Sequence, residues 1–180
     1  MTCIIGLVSK DGCVFLGGDS AGIAGLNVTV RKDPKVFKVG NFVFGFTSSF
    51  RMGQLLQYSF TPPDHDPRVN VDKYIRTEWL NSVRKCFESG GYMRKNSEQE
   101  EGGCFLVGYQ GRLYFIDSDF QIAESLDDYY SVGCGAEFAM GAMHALKNTE
   151  LAPEEKIKVA LHCAAHHSAG VRPPFLIEKT

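Results

Sequence analysis

What the chain lacks narrows its roles before any motif is considered. No apolar run in its 180 residues approaches the ~18 needed to cross a bilayer, and the start lacks the basic-then-apolar order of an export leader. A cytoplasmic protein without a membrane partner is therefore expected. An excess of positive charge is also missing: 19 Lys and Arg against 21 Asp and Glu, scattered along the chain, give a net charge of -2. That excludes the basic stripe by which proteins hold nucleic acid. The six cysteines contain no C-x-x-C pair, and His166 and His167 are neighbours that would point ~100° apart on a helix, so neither a metal nor another cofactor is expected. The glycine-rich stretch Gly17-Gly18-Asp19-Ser20-Ala21-Gly22 has no Gly-Lys-Ser/Thr ending, which argues against a phosphate-binding loop.

What is present is an ordinary globular composition, 44% hydrophobic and 22% charged, enough for one core over a single domain spanning 1–180. Apolar strands alternate with helical stripes. Cys3 to Val8 and Cys13 to Leu16 flank an Asp11-Gly12 turn, and Lys35 to Val39 and Phe42 to Phe46 flank Gly40-Asn41, so two hairpins are predicted. Ser48 or Ser49 then caps a helix carrying Met52, Leu55, Leu56 and Phe60, and a second helix carries Ile75, Trp79, Val83, Cys86 and Phe87 up to Gly90-Gly91. The polar stretch from Tyr92 to Gly102 reads as an exposed loop. Strands follow at Cys104 to Tyr109, Arg112 to Ile116 and near Gln121 to Ala123. Two helices come next, one with Phe138, Ala142, Met143 and Leu146 inward and one with Ile157, Ala160, Leu161 and Ala164 inward, before a last strand at Phe175 to Ile177. Strands, two helices, strands, two helices, strand is the order of an α+β four-layer αββα sandwich.

The chain opens Met1-Thr2-Cys3, which places a hydroxyl and a thiol at the head of the first strand. A threonine hydroxyl needs an adjacent base to act as a nucleophile, and a free α-amine with a pKa near ~8 can supply one once Met1 is trimmed. Taken with Gly17-Gly18-Asp19-Ser20, Lys35-Val36, Gly45-Phe46, Val132-Gly133-Cys134-Gly135 and Asn148-Thr149-Glu150-Leu151, this order resembles the N-terminal nucleophile hydrolases. Within them it is most similar to the proteasome β-subunits and the HslV-type and Anbu-type peptidases.

The resemblance implies a threonine-type endopeptidase acting on a peptide or protein substrate. Thr2 would be the nucleophile, Lys35 the neighbouring ammonium, Asp19 its anchor and Gly45 the oxyanion donor. It further implies a homo-oligomer, a ring or related assembly, and by analogy alone an ATP-dependent unfoldase partner. The sequence departs from the family in two places. Cys134 stands where a serine usually contacts the terminal amine, and His166 falls near the position of an aspartate, leaving Ser168 to organise amine and water. Register is open as well. An ungapped match through Gly12, Asp19 and Lys35 selects Cys3 as the nucleophile, which would suit a small-amide hydrolase, whereas the first strand selects Thr2. A catalytically silent subunit of the same fold is the remaining alternative.

Overall fold

The computed structural model describes residues 1–96 and 99–180. The chain opens with β1 (Ile4–Val8), β2 (Val14–Gly18), β3 (Ala21–Ala24), β4 (Asn27–Val30), β5 (Val36–Val39) and β6 (Phe42–Phe46). Helix α1 (Phe50–Tyr58) comes next, followed by α2 (Val71–Tyr74), a π-helical turn over Ile75–Trp79, and α3 (Leu80–Ser89). Then come β7 (Arg94–Asn96), β8 (Gln99–Glu101), β9 (Phe105–Tyr109), β10 (Arg112–Ile116), β11 (Ile122–Ala123), β12 (Tyr129–Val132), α4 (Ala136–Leu146), α5 (Pro153–His167) and β13 (Leu176–Lys179).

Two antiparallel sheets form the centre, one ordered β12-β1-β2-β13 and the other β11-β10-β9-β6-β5. Ile4, Val14, Leu16, Val36, Val43, Leu106 and Leu113 fill the layer between them. On the outer face of the four-stranded sheet, Cys3, Ile5 and Phe15 pack against Ala139, Met143, Ile157, Leu161 and Ala164 of α4 and α5. On the outer face of the five-stranded sheet, Phe42, Phe44, Phe46 and Phe105 pack against Met52, Leu55 and Leu56 of α1 and Trp79, Val83 and Phe87 of the second helical run. The αββα expectation holds. Strand periodicity explains the division, since successive side chains point to opposite faces and β1 therefore sends Ile4 to one layer and Cys3 and Ile5 to the other.

Several local expectations change. Tyr92 to Gly102 is not simply a loop: β7 and β8 pair, Arg94 with Glu101 and Asn96 with Gln99, while Ser97 and Glu98 lie outside the described residues. Both strands consist of polar residues, so they leave no hydrophobic alternation to read. The hairpin of β3 and β4 was not predicted; Ala24 pairs with Asn27 around Gly25, whose φ of 59° suits a two-residue turn. Phe138 is 39% exposed and stacks on His167 instead of facing inward. The inward face of α4 is Ala139 and Met143, which pack in the layer with α5. Helix α1 stops at Tyr58, short of Phe60, and is capped by Ser49, whose hydroxyl accepts from the Arg51 amide at 3.1 Å. No helix is long and apolar enough to cross a membrane among the described residues.

Candidate active site

Three strand ends meet at one end of the sandwich. Thr2 precedes β1, Asp19 follows β2 and Lys35 precedes β5. The pairing of β1 with β2 sets Ile4 against Gly18, so the residues just beyond, Cys3 and Asp19, bond each other: Asp19 N–H donates to Cys3 O at 3.3 Å and Cys3 N–H to Asp19 Oδ1 at 3.0 Å. Gly18 has no side chain where Lys35 crosses from the other sheet; a Cβ there would lie 3.6 Å from Lys35 Cβ and 3.1 Å from Val36 Cγ1. Lys35 thus reaches across the inter-sheet layer.

Its ammonium donates to Asp19 Oδ1 at 2.9 Å and to Thr2 Oγ1 at 2.9 Å. The side chains of Lys35 and Asp19 are 1% and 0% exposed. Burial lowers the Lys35 pKa below the ordinary lysine value, and the Asp19 charge and hydrogen bond work against that fall. Asp19 is itself held by backbone donors, the amides of Cys3 on Oδ1 and of Ala21 (2.9 Å) and Arg172 (3.3 Å) on Oδ2. A carboxylate with this many donors stays in place and keeps its partner oriented.

Thr2 and Cys3 fall on opposite faces of the strand. Thr2 shares the inter-sheet side with Ile4, and its hydroxyl meets Lys35. Cys3 lies in the α4–α5 layer, 0% exposed, with Sγ 3.7 Å from Ser131 Oγ. Burial pushes the Cys3 thiol up to about 12, which keeps it protonated at neutral pH. With Met1 attached, the Thr2 nitrogen is a peptide amide and the Thr2 hydroxyl donates to Met1 O at 2.6 Å.

The residues around that nitrogen come from the far half of the chain. Cys134 Sγ accepts from Thr2 N–H at 3.3 Å and lies 3.4 Å from Ser168 Oγ. Gly133, at φ 101°, lies so close to Thr2 that a Cβ would come within 2.3 Å of Thr2 O, so both the backbone angle and the contact demand glycine. His166 is exposed at the end of α5, its ring 4.7 Å from that of His167, and it is not brought to Thr2.

Gly45 belongs to a different environment from the one expected of it. It lies within the ladder, opposite Val36 on one side and Leu106 on the other. The atoms nearest a Cβ there are Ile4 Cγ2 at 2.5 Å, Val36 Cγ1 at 3.3 Å and Leu16 Cδ1 at 3.5 Å. Its missing side chain lets the two sheets close on each other. The loop one step further on faces the Thr2 end: Thr47 Oγ1 lies 3.4 Å from where a Gly133 Cβ would be, and the Phe50 ring centre is 5.7 Å from Lys35 Nζ. Ser48 in this loop has φ 68°, and its amide donates to no group among the described residues. Neither this loop nor Arg172, which acts through its backbone, was picked out from sequence, because nothing in a Thr-Ser-Ser run or a lone arginine marks a backbone donor.

No protein-family model matches the chain. Comparison with solved structures is more informative. BPH from Thiobacillus denitrificans in complex with epoxomicin superposes with a TM-score of 0.80 at 19% identity, covering 98% of this chain and 97% of that one. HslV from Trypanosoma brucei gives 0.69 at 17% identity over 99% and 98% of the two chains. Anbu from Yersinia bercovieri gives 0.64 at 14% identity over 99% of this chain and 81% of the other. The fold is therefore that of the proteasome-like N-terminal nucleophile hydrolases. The resemblance read from the ordered motifs of the sequence holds at that level.

Proposed function

We propose that this chain is a threonine-type endopeptidase subunit in which Thr2, freed by removal of Met1, attacks the carbonyl carbon of a peptide bond. The observation that carries this reading is the buried line Thr2 Oγ1, Lys35 Nζ, Asp19 Oδ1, with both gaps at 2.9 Å. A surface lysine has no reason to be taken out of water to meet a threonine hydroxyl. Desolvation costs several kcal/mol per charge, and the ion pair with Asp19 offsets that cost only when the geometry is this close.

Each step then has a group to perform it. The free Thr2 amine takes the hydroxyl proton as Oγ1 bonds to the carbonyl carbon, and the Lys35 ammonium, adjacent to Oγ1, stabilises the alkoxide as it forms. The C–N bond breaks as the Thr2 ammonium passes its proton to the leaving nitrogen. Water, deprotonated by the same amine, then hydrolyses the ester and restores Thr2. Cys134 and Ser168 orient the amine. The Ser48 amide, unpaired and left-handed beside the start of α1, is better suited than Gly45 to receive the oxyanion. The steps require no metal or other cofactor.

The substrate class follows as a peptide or protein, and the working form as an assembly of like copies, a ring or a related oligomer. An ATP-driven unfoldase partner rests on analogy alone. The second reading turns on Met1: while it is attached, the Thr2 nitrogen is a peptide amide and the Thr2 hydroxyl donates a hydrogen bond to Met1 O. A chain that keeps Met1 would be a silent subunit serving assembly. Peptide hydrolysis by the processed protein separates the two. Wild type should turn over fluorogenic peptides, Thr2→Ser should retain turnover and Thr2→Ala should lose it; equal turnover by Thr2→Ala would refute the role of Thr2.

A further inference from the structure

The end of the molecule away from Thr2 holds a cavity that the proposed chemistry does not use. Lys35 precedes β5 and Val39 closes it, so about 13 Å of strand separates Lys35 from the cavity wall. The cavity encloses about 380 Å³ between the Gly40-Asn41 turn and the Pro62-Pro63 segment after α1, a volume suited to a small molecule. Its walls are aromatic. Phe42, Phe60, Tyr74 and Tyr109 all line it; Phe42 and Tyr109 stack with ring centres 4.0 Å apart, and Tyr74 lies 6.0 Å from Tyr109.

The polar tips among these rings are spent on one another. The Tyr74 hydroxyl donates to Pro63 O at 2.5 Å, and His65, stacked on Tyr74 at 4.4 Å, donates through Nε2 to Val69 O at 2.8 Å. In the neutral ring Nδ1 is then the acceptor, and it takes the Tyr109 hydroxyl proton's hydrogen bond at 3.1 Å, while Gln110 Nε2 donates to the Tyr109 oxygen at 3.2 Å. What the walls offer a ligand is therefore ring surface rather than hydrogen bonds. The single formal charge in the lining is the exposed carboxylate of Asp64; no lysine or arginine lines the cavity, and the nearest one along the chain, Arg68, is paired with Asp66 at 2.6 Å. The Asp64 charge also reaches the rings: burial raises the Tyr74 phenol pKa first, and Asp64 is among the charges that add to the rise. Ring faces and a lone carboxylate both favour a cation, and a cation rich in N–H groups would find only Asp64 to accept them. An alkylated one needs no acceptor.

We propose that this cavity binds a small alkylated ammonium ion, its methyl groups against the rings of Phe42, Phe60, Tyr74 and Tyr109 and its charge balanced by Asp64. Nothing in this depends on the role of Thr2. The test compares choline with dimethylbutanol, its uncharged isostere in which carbon replaces the nitrogen. Dissociation constants are measured by NMR titration of the full chain and of Asp64→Asn, with the ring protons of Phe60, Tyr74 and Tyr109 followed.

Choline should shift those ring protons and bind at least about tenfold more tightly than dimethylbutanol, since cation–ring attraction is absent from the isostere. Asp64→Asn, a surface change, should weaken choline roughly tenfold and leave dimethylbutanol unchanged. Equal affinity for the two probes would overturn the proposal, because the cavity would then take apolar bulk regardless of charge. So would choline affinity that Asp64→Asn leaves unmoved, or choline that shifts none of these rings.

Discussion

Removing the charge of Asp19 while keeping its shape should be more damaging than removing Lys35. In Asp19→Asn the Lys35 ammonium stays buried without a counter-ion, and one oxygen that accepts backbone N–H groups becomes an NH2 that opposes them. Breaking a buried pair from one side costs ~3–5 kcal/mol. In Lys35→Met the carboxylate keeps the amides of Cys3, Ala21 and Arg172, so the loss should be smaller, about 1–3 kcal/mol for the hydrogen bond to a charged group. In the double variant no charge is stranded, and its loss should fall well below the sum of the singles, a coupling of about 2 kcal/mol or more. Urea unfolding reads this directly. With a slope near ~2 kcal/mol/M, the midpoint of Asp19→Asn should drop by roughly 2 M and that of the double variant by much less. Additive losses would refute the reasoning, since they would mean that Lys35 and Asp19 do not share one buried interaction.

Other outcomes follow from the same geometry. The folded-state pKa of Lys35 is lowered, so in the alkaline window between that value and the unfolded value near ~10.4 the unfolded chain binds the extra proton; stability from Lys35 should rise with pH there, and Lys35→Met should abolish that rise in pH-dependent urea melts. Iodoacetamide at neutral pH should modify exposed Cys134 and leave Cys3 untouched, as peptide mapping will show. The group added at Cys134, 3.3 Å from the Thr2 nitrogen, should slow labelling of Thr2. Gly45→Ala should destabilise by about 1–3 kcal/mol through the Ile4 contact. Its folded fraction should still label at Thr2, whereas a specific loss of labelling would restore Gly45 to the oxyanion role.

The layers were legible because sheets and helices left apolar periodicities: Ile157, Ala160, Leu161 and Ala164 read correctly as one buried face. Where every residue of a ribbon is polar, as in β7 (Arg94–Asn96) and β8 (Gln99–Glu101), no such period exists. The gathering of Thr2, Asp19 and Lys35 was legible only through the order of the motifs, since no spacing along the chain reveals that Gly18 opens a path for Lys35 between the sheets. Thr2 and Cys3 were left open because an ungapped match through Gly12, Asp19 and Lys35 selects Cys3 whereas the first strand selects Thr2. Only the side of β1 that meets the second sheet distinguishes them. Gly45 and Ser48 show the same limit, because a glycine flagged for backbone approach turned out to serve packing, while a serine with a left-handed backbone carries no mark of it in sequence.

The central claim is that Thr2, with a free amine, is the reactive group. Mass spectrometry of the Met1-processed protein after exposure to epoxomicin, with the modified residue mapped, tests it most directly. One adduct joined to Thr2, lost in Thr2→Ala and retained in Cys3→Ala, is the expected result. An adduct on Cys3, or none on processed protein that is folded and assembled, would contradict it.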